Sequence, residues 1–112
     1  MLIDDLLHPY DVELPHLECD GFTRVAHYVL NKNGISHQCF RGTVTVGGRT
    51  ISHWWIKSGS MTVDFRLRMW MGENVPHGIF DAERFPQVKY EGEEIPLHVS
   101  PIVFEILTQK TA

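Results

Sequence analysis

The sequence predicts an α+β fold, with an N-terminal helix packed on a small antiparallel β-sheet. Three observations predict it. Apolar residues recur at helical spacing between positions 22 and 30. Three runs between 35 and 66 are rich in β-branched and aromatic residues, and glycine-containing pairs separate these runs at hairpin spacing.

The helix is the firmest element. Phe22, Val25, Ala26, Val29 and Leu30 fall at i, i+3, i+4, i+7 and i+8, the stripe of an amphipathic helix. Cys19 opens it and Asn33-Gly34 supplies the stop signal. Ahead of it, residues 1–18 hold one short apolar-acidic stretch, read as a helical turn that Pro9 and Pro15 break. Residues 35–46, "ISHQCFRGTVTV", form a first strand ending at the hairpin pair Gly47-Gly48. A second strand spans 49–57, Ser58-Gly59 makes a turn, and a third strand runs from 60 to 66. Residues 67–96 mix aromatics with Gly and Pro without a sustained period. They are expected to form an ordered excursion packed on its aromatics, with a strand near Val88–Tyr90. Ser100 before Pro101 has the form of an N-cap with Pro at the first helical position, so "IVFEILTQK" is read as a short C-terminal helix ending at Lys110, although its Ile, Val and Phe content also suits a strand.

Composition bounds the function. A chain of 112 residues with 43% hydrophobic content is read as one domain, 1–112, with a real core. The net charge of −4 and the lack of a Lys/Arg block argue against a nucleic-acid-binding surface. No apolar run approaches the roughly 18 residues of a membrane span. The start, "MLIDDLLHPYDVELPH", carries acidic residues where a secretory leader has a basic region, and this predicts a cytoplasmic protein. Two cysteines make no disulfide framework, and both are expected to be reduced thiols.

The stretch "ISHWWIKSGSMTVDF", residues 51–65, holds two out-of-place residues, His53 and Asp64, inside strands. With Ser58-Gly59 as a two-residue loop, Lys57 pairs with Ser60 and His53 lies directly opposite Asp64, within reach of a hydrogen bond. The same arithmetic around Gly47-Gly48 puts Gly42 beside His53 and leaves space in front of the imidazole. The pair is read as a histidine oriented by an aspartate, an arrangement that lacks only a nucleophile to become a triad. Cys19 supplies one: at a helix start, unpaired N–H groups and the macrodipole stabilise a thiolate. Cys39 falls on the opposite sheet face and is read as a small buried hydrophobe. The competing reading makes His53 and Asp64 a satisfied polar pair and Cys19 a structural thiol.

A cysteine opening a helix, "HWWI" on a strand and "VDF" on the next together resemble the transglutaminase-like and papain-like Cys-His-Asp superfamily, in a minimal form covering about residues 17–66. The resemblance implies Cys19 as nucleophile, His53 as general base and then acid, and Asp64 as the orienter of His53. It implies acyl transfer or hydrolysis at amides or thioesters, as in peptidases, deamidases, transglutaminases or N-acyltransferases. The substrate would be a protein, a peptide or a small amide or thioester, and no cofactor is called for. Trp55 as pocket wall, Arg66 facing a substrate carboxylate, and His77 in the turn "VPHGIF" are the candidate substrate-binding residues.

Two other classes compete. A non-enzymatic protein-binding module, or small regulator of phage or bacterial type, would use the aromatic-rich segment 67–96 to dock on a partner. A small zinc-binding domain would draw on His16 with Cys19, His37 with Cys39, His53 and His77. No CxxC, HExxH or HxxxH spacing occurs, so the preferred reading assigns no metal, although strand alternation does put His37 and Cys39 on one face.

Overall fold

The computed structural model describes residues 2–109. They form α-helices α1 (Leu2–Glu13), α2 (Cys19–Lys32), α3 (Arg68–Met71) and α4 (Pro101–Leu107). The strands are β1 (Gln38–Val46), β2 (Arg49–Ser58), β3 (Met61–Asp64), β4 (Gly78–Phe80) and β5 (Val88–Glu94). The strands make one antiparallel sheet in the order β4-β3-β2-β1-β5. The fold is α+β.

Strand alternation divides the core between the two faces of the sheet. One face carries Cys39, Ile56 and Val63 against α1 and α2, with Leu7, Phe22, Val25 and Leu30 among the helix residues of the cluster. The other carries Val44, Trp55 and Val88 beneath the 67–85 segment, with Leu67 and Val75. α2 buries the stripe seen in the sequence, and α4 has the expected cap, Ser100 Oγ accepting from the Val103 N–H at 3.2 Å. The predicted end of that helix at Lys110 lies outside the described residues. No helix among the described residues is long and apolar enough to cross a membrane.

Four expectations are corrected. α1 is a 12-residue helix that runs through Pro9 instead of breaking there. Proline's φ suits a helix and it forfeits one backbone hydrogen bond, a loss that burial of Leu7 on the core outweighs. The excursion 67–96 supplies two strands, β4 and a seven-residue β5, so the three-stranded meander becomes a five-stranded sheet. The β2–β3 register is shifted by two residues, Lys57 pairing with Thr62 and Ser58 with Met61. Gly59, at φ +59, must be the first central residue of the turn; a Ser58-Gly59 loop would put the serine there, at positive φ. The fourth correction concerns Gly42. It does pair with His53, but the room it leaves is filled by β5: a Cβ there would lie 2.0 Å from the Glu91 carbonyl oxygen and 2.4 Å from Gly92 Cα.

Candidate active site

A shift of two residues preserves parity, so His53 and Asp64 still share a sheet face. The register places Asp64 across from Trp55 rather than from His53, and the carboxylate reaches diagonally. His53 Nε2 and Asp64 Oδ2 are 2.8 Å apart, and the two residues are 0% and 3% exposed. β3 ends at this aspartate for a local reason. Its Oδ1 accepts the N–H groups of Arg66 and Leu67, both at 3.0 Å, and turns the chain out of the strand towards α3. Oδ2 accepts a second donor, the Tyr90 hydroxyl of β5, at 2.7 Å. Asp64 therefore takes four hydrogen bonds, the capacity expected of an ionised carboxylate.

His53 is held from one side only. Among the described residues its Nδ1 has no partner in full hydrogen-bond geometry, yet the Cys19 thiol is near enough to act on the ring through hydrogen bonding and charge. Burial works against the imidazolium, but the Asp64 hydrogen bond and charge, with Cys19 adding to both, outweigh it and lift His53 to about 9. Cys19 is half-buried at the first turn of α2, and Glu18 provides no side-chain cap. The leading amides of that helix are thus free of a capping side chain. Phe22, Trp54, Phe65 and Asp64 line a crevice with Cys19. Its volume is about 10 Å³, room for one water.

The remaining sequence candidates separate. Cys39 is buried, and desolvation with the Glu94 charge nearby pushes its thiol up to about 12. Trp55 is 3% exposed and packs between Phe40 and Tyr90, with centroids at 5.9 and 4.9 Å. It is a core residue whose edge forms part of the floor of a groove of about 480 Å³ running along Val88–Gly92. Arg66 does not face a substrate: its guanidinium donates to the carbonyls of Leu14 and Phe65 at 2.9 and 2.8 Å, to the Leu17 carbonyl and to Asp11, and it lies over the Phe22 ring. With four of its five N–H donors engaged in this way, it staples the α1–α2 connection to the sheet. His77 likewise turns to α1, bonding Asp11 Oδ2 at 3.0 Å and packing edge-on against Phe65, and it is not part of the Cys19 crevice. Asp11, raised by burial but lowered more by His77 and Arg66, has a depressed pKa.

Two residues escaped the sequence reading. Tyr90 lay in an expected strand, but nothing local showed that this strand would pair with β1. His27, on α2, joins His37 and Cys39 in a cluster whose ligand atoms all lie within 4.8 Å of one another. Its only sequence signal is its place beside the apolar stripe. His16, His53 and His77 belong to no such cluster among the described residues.

No family model, curated protein or solved structure is similar to the chain.

Proposed function

We propose that the chain performs cysteine-dependent acyl transfer or amide hydrolysis, with Cys19 as nucleophile, His53 as proton carrier and Asp64 as its orienter. The observation that carries this reading is a buried imidazole bonded through Nε2 to a carboxylate while Nδ1 is left without a hydrogen-bonded partner. Buried polar atoms are nearly always satisfied, and among the described residues the one side chain besides Asp64 that acts on this ring by hydrogen bonding and charge is the Cys19 thiol.

With its pKa near 9, His53 carries a proton at neutral pH and favours a thiolate beside it. Sγ attacks the acyl carbon, and the developing oxyanion is met by the uncapped amides at the start of α2. His53 gives its Nδ1 proton to the leaving amine or thiol as the tetrahedral intermediate collapses to a thioester. Water or an amine then donates a proton back to Nδ1 while attacking the thioester, which frees Cys19. A crevice large enough only for water fits a substrate presented from the solvent side of Cys19. The chemistry resembles that of the transglutaminase-like and papain-like superfamily.

A small panel of activated esters and thioesters tests this, with intact-mass and peptide-mass readout. The expected result is one acyl adduct, located on Cys19, absent from Cys19→Ala and His53→Gln, and unchanged in Cys39→Ala. An adduct on Cys39, or none from any acyl donor in the folded protein, would overturn the assignment.

A second reading has its own observation. Met69 and Trp70 on α3 are 41% and 43% exposed, and exposed Met and Trp favour a protein-docking role for that segment.

A further inference from the structure

The His27, His37 and Cys39 cluster lies on the α2 side of β1 and has no part in the reaction above. His27 comes from α2, His37 from the connection before β1, and Cys39 from β1 itself. His27 Nδ1 is 2.8 Å from His37 Nε2 and 3.6 Å from Cys39 Sγ.

The outer nitrogens decide what lies between the rings. His37 Nδ1 is 2.8 Å from the Ile35 carbonyl oxygen, and His27 Nε2 is 3.1 Å from that of Leu97. A carbonyl only accepts, so both outer nitrogens carry the N–H. The Asn31 amide, 3.2 Å from His27 Nε2, can turn end for end and present its oxygen to the same N–H. A neutral imidazole has one N–H. His27 Nδ1 and His37 Nε2 therefore point two lone pairs at each other across 2.8 Å, beside a buried sulfur. Such an approach calls for a positive charge between them, a shared proton or a metal cation. A shared proton would engage only the two nitrogens, whereas a metal uses all three atoms.

The distances suit a metal. Zinc bonds of about 2.0–2.1 Å to nitrogen and 2.3 Å to sulfur in tetrahedral array put N and S about 3.5 Å apart, against 3.6 Å here. The same array asks the two nitrogens to stand about 3.3 Å apart, so the rings would part by roughly half an ångström. The carbonyls behind each imidazole are the outer partners that orient metal-ligating histidines and fix their tautomers. We propose that His27, His37 and Cys39 form a zinc site with three protein ligands, clamping α2 to the start of β1. The fourth position falls to water, because His27 also lines a groove of about 260 Å³ shared with His98. The donor set of two imidazoles and a thiolate belongs to zinc rather than to the oxygen-seeking magnesium or calcium.

Cobalt(II) is the probe, added to the full chain after stripping with a chelator. One equivalent should produce a thiolate-to-cobalt charge-transfer band and visible ligand-field bands of tetrahedral intensity, both abolished by one equivalent of zinc. Loss of an outer-sphere partner alone weakens metal sites by about 10- to 100-fold, so His37→Gln should weaken binding at least that much. Cys39→Ser should lose the charge-transfer band, while Cys19→Ser should keep it. Zinc should raise the melting temperature of wild type and Cys19→Ser, but not of His37→Gln. His37 is half-buried outside the strand, so its variant reports even where Cys39→Ser folds poorly. The absence of a band, its survival in Cys39→Ser, or its loss in Cys19→Ser would overturn the proposal.

Discussion

Asp64→Asn separates chemistry from architecture at the candidate active site. The carboxylate accepts two backbone N–H groups on Oδ1 and His53 and Tyr90 on Oδ2. Asparagine keeps one oxygen, and the backbone pair claims it because those amides are buried and immobile. The new NH₂ then faces His53 Nε2 and the Tyr90 hydroxyl. It can donate to Nε2 only if that nitrogen is unprotonated, which moves the ring's N–H to Nδ1, the side of Cys19. The neutral ring in that tautomer cannot take a proton from the thiol. The thermodynamic counterpart follows from the lift of His53 from 6.5 to about 9. At about 1.4 kcal/mol per unit, that lift contributes about 3 kcal/mol. A folded pKa above the unfolded one makes this stability fully present below pH 6.5 and lost as pH rises through 9. Asp64→Asn should therefore lower stability by about 2–3 kcal/mol at pH 6 and by much less at pH 9.5. The acylation rate of Cys19 at pH 7 should fall by several orders of magnitude, the size typical of such a change in a triad. Chemical denaturation at the two pH values and acyl-adduct formation measure the two effects. An unchanged acylation rate with a stability loss equal at both pH values would refute the reasoning and leave His53 and Asp64 as a structural pair.

Two further outcomes test the frame around the site. Gly42→Ala should cost about 3 kcal/mol or more in denaturant unfolding, because its Cβ would meet β5 backbone, which cannot swing away as a side chain could; a neutral variant would mean β5 pairs differently. Arg66→Leu should cost about 3–5 kcal/mol by stripping three carbonyls of their donor and leaving Asp11 with His77 alone. A stable variant with a raised KM for carboxylate-bearing substrates would instead return Arg66 to the binding role expected from the sequence.

What could be read from the sequence was whatever local rules decide. α2 announced itself by its stripe, the β1–β2 hairpin by its glycine pair, and α4 by Ser100 and Pro101. The His53–Asp64 contact survived an error in the turn because a slip of two residues leaves each side chain on its own face. A slip of one would have destroyed it. What could not be read depended on packing between distant segments. β4 is three residues long and β5 pairs with β1, not with a sequence neighbour. Arg66 shares the parity of Asp64 but turns back to carbonyls of the α1–α2 link, which no strand arithmetic reaches. His27 joins His37 and Cys39 only once α2 is laid across the sheet.

The His53–Asp64 pair is hard to explain as a device for stability. Burying an imidazole and a carboxylate carries a desolvation cost that the attraction between them offsets only in good geometry, and well-packed apolar residues of similar size often do as well or better. The backbone turn after β3 could be closed by a neutral side-chain oxygen, and Tyr90 could be replaced by an apolar ring. Neither duty requires the full charge of a carboxylate. A histidine kept for structure would satisfy both nitrogens; His53 satisfies one. The charge on Asp64 is fully used only in holding a protonated ring whose other nitrogen stands free beside a thiol. The acyl-transfer site we propose accounts for both the charge and the free nitrogen.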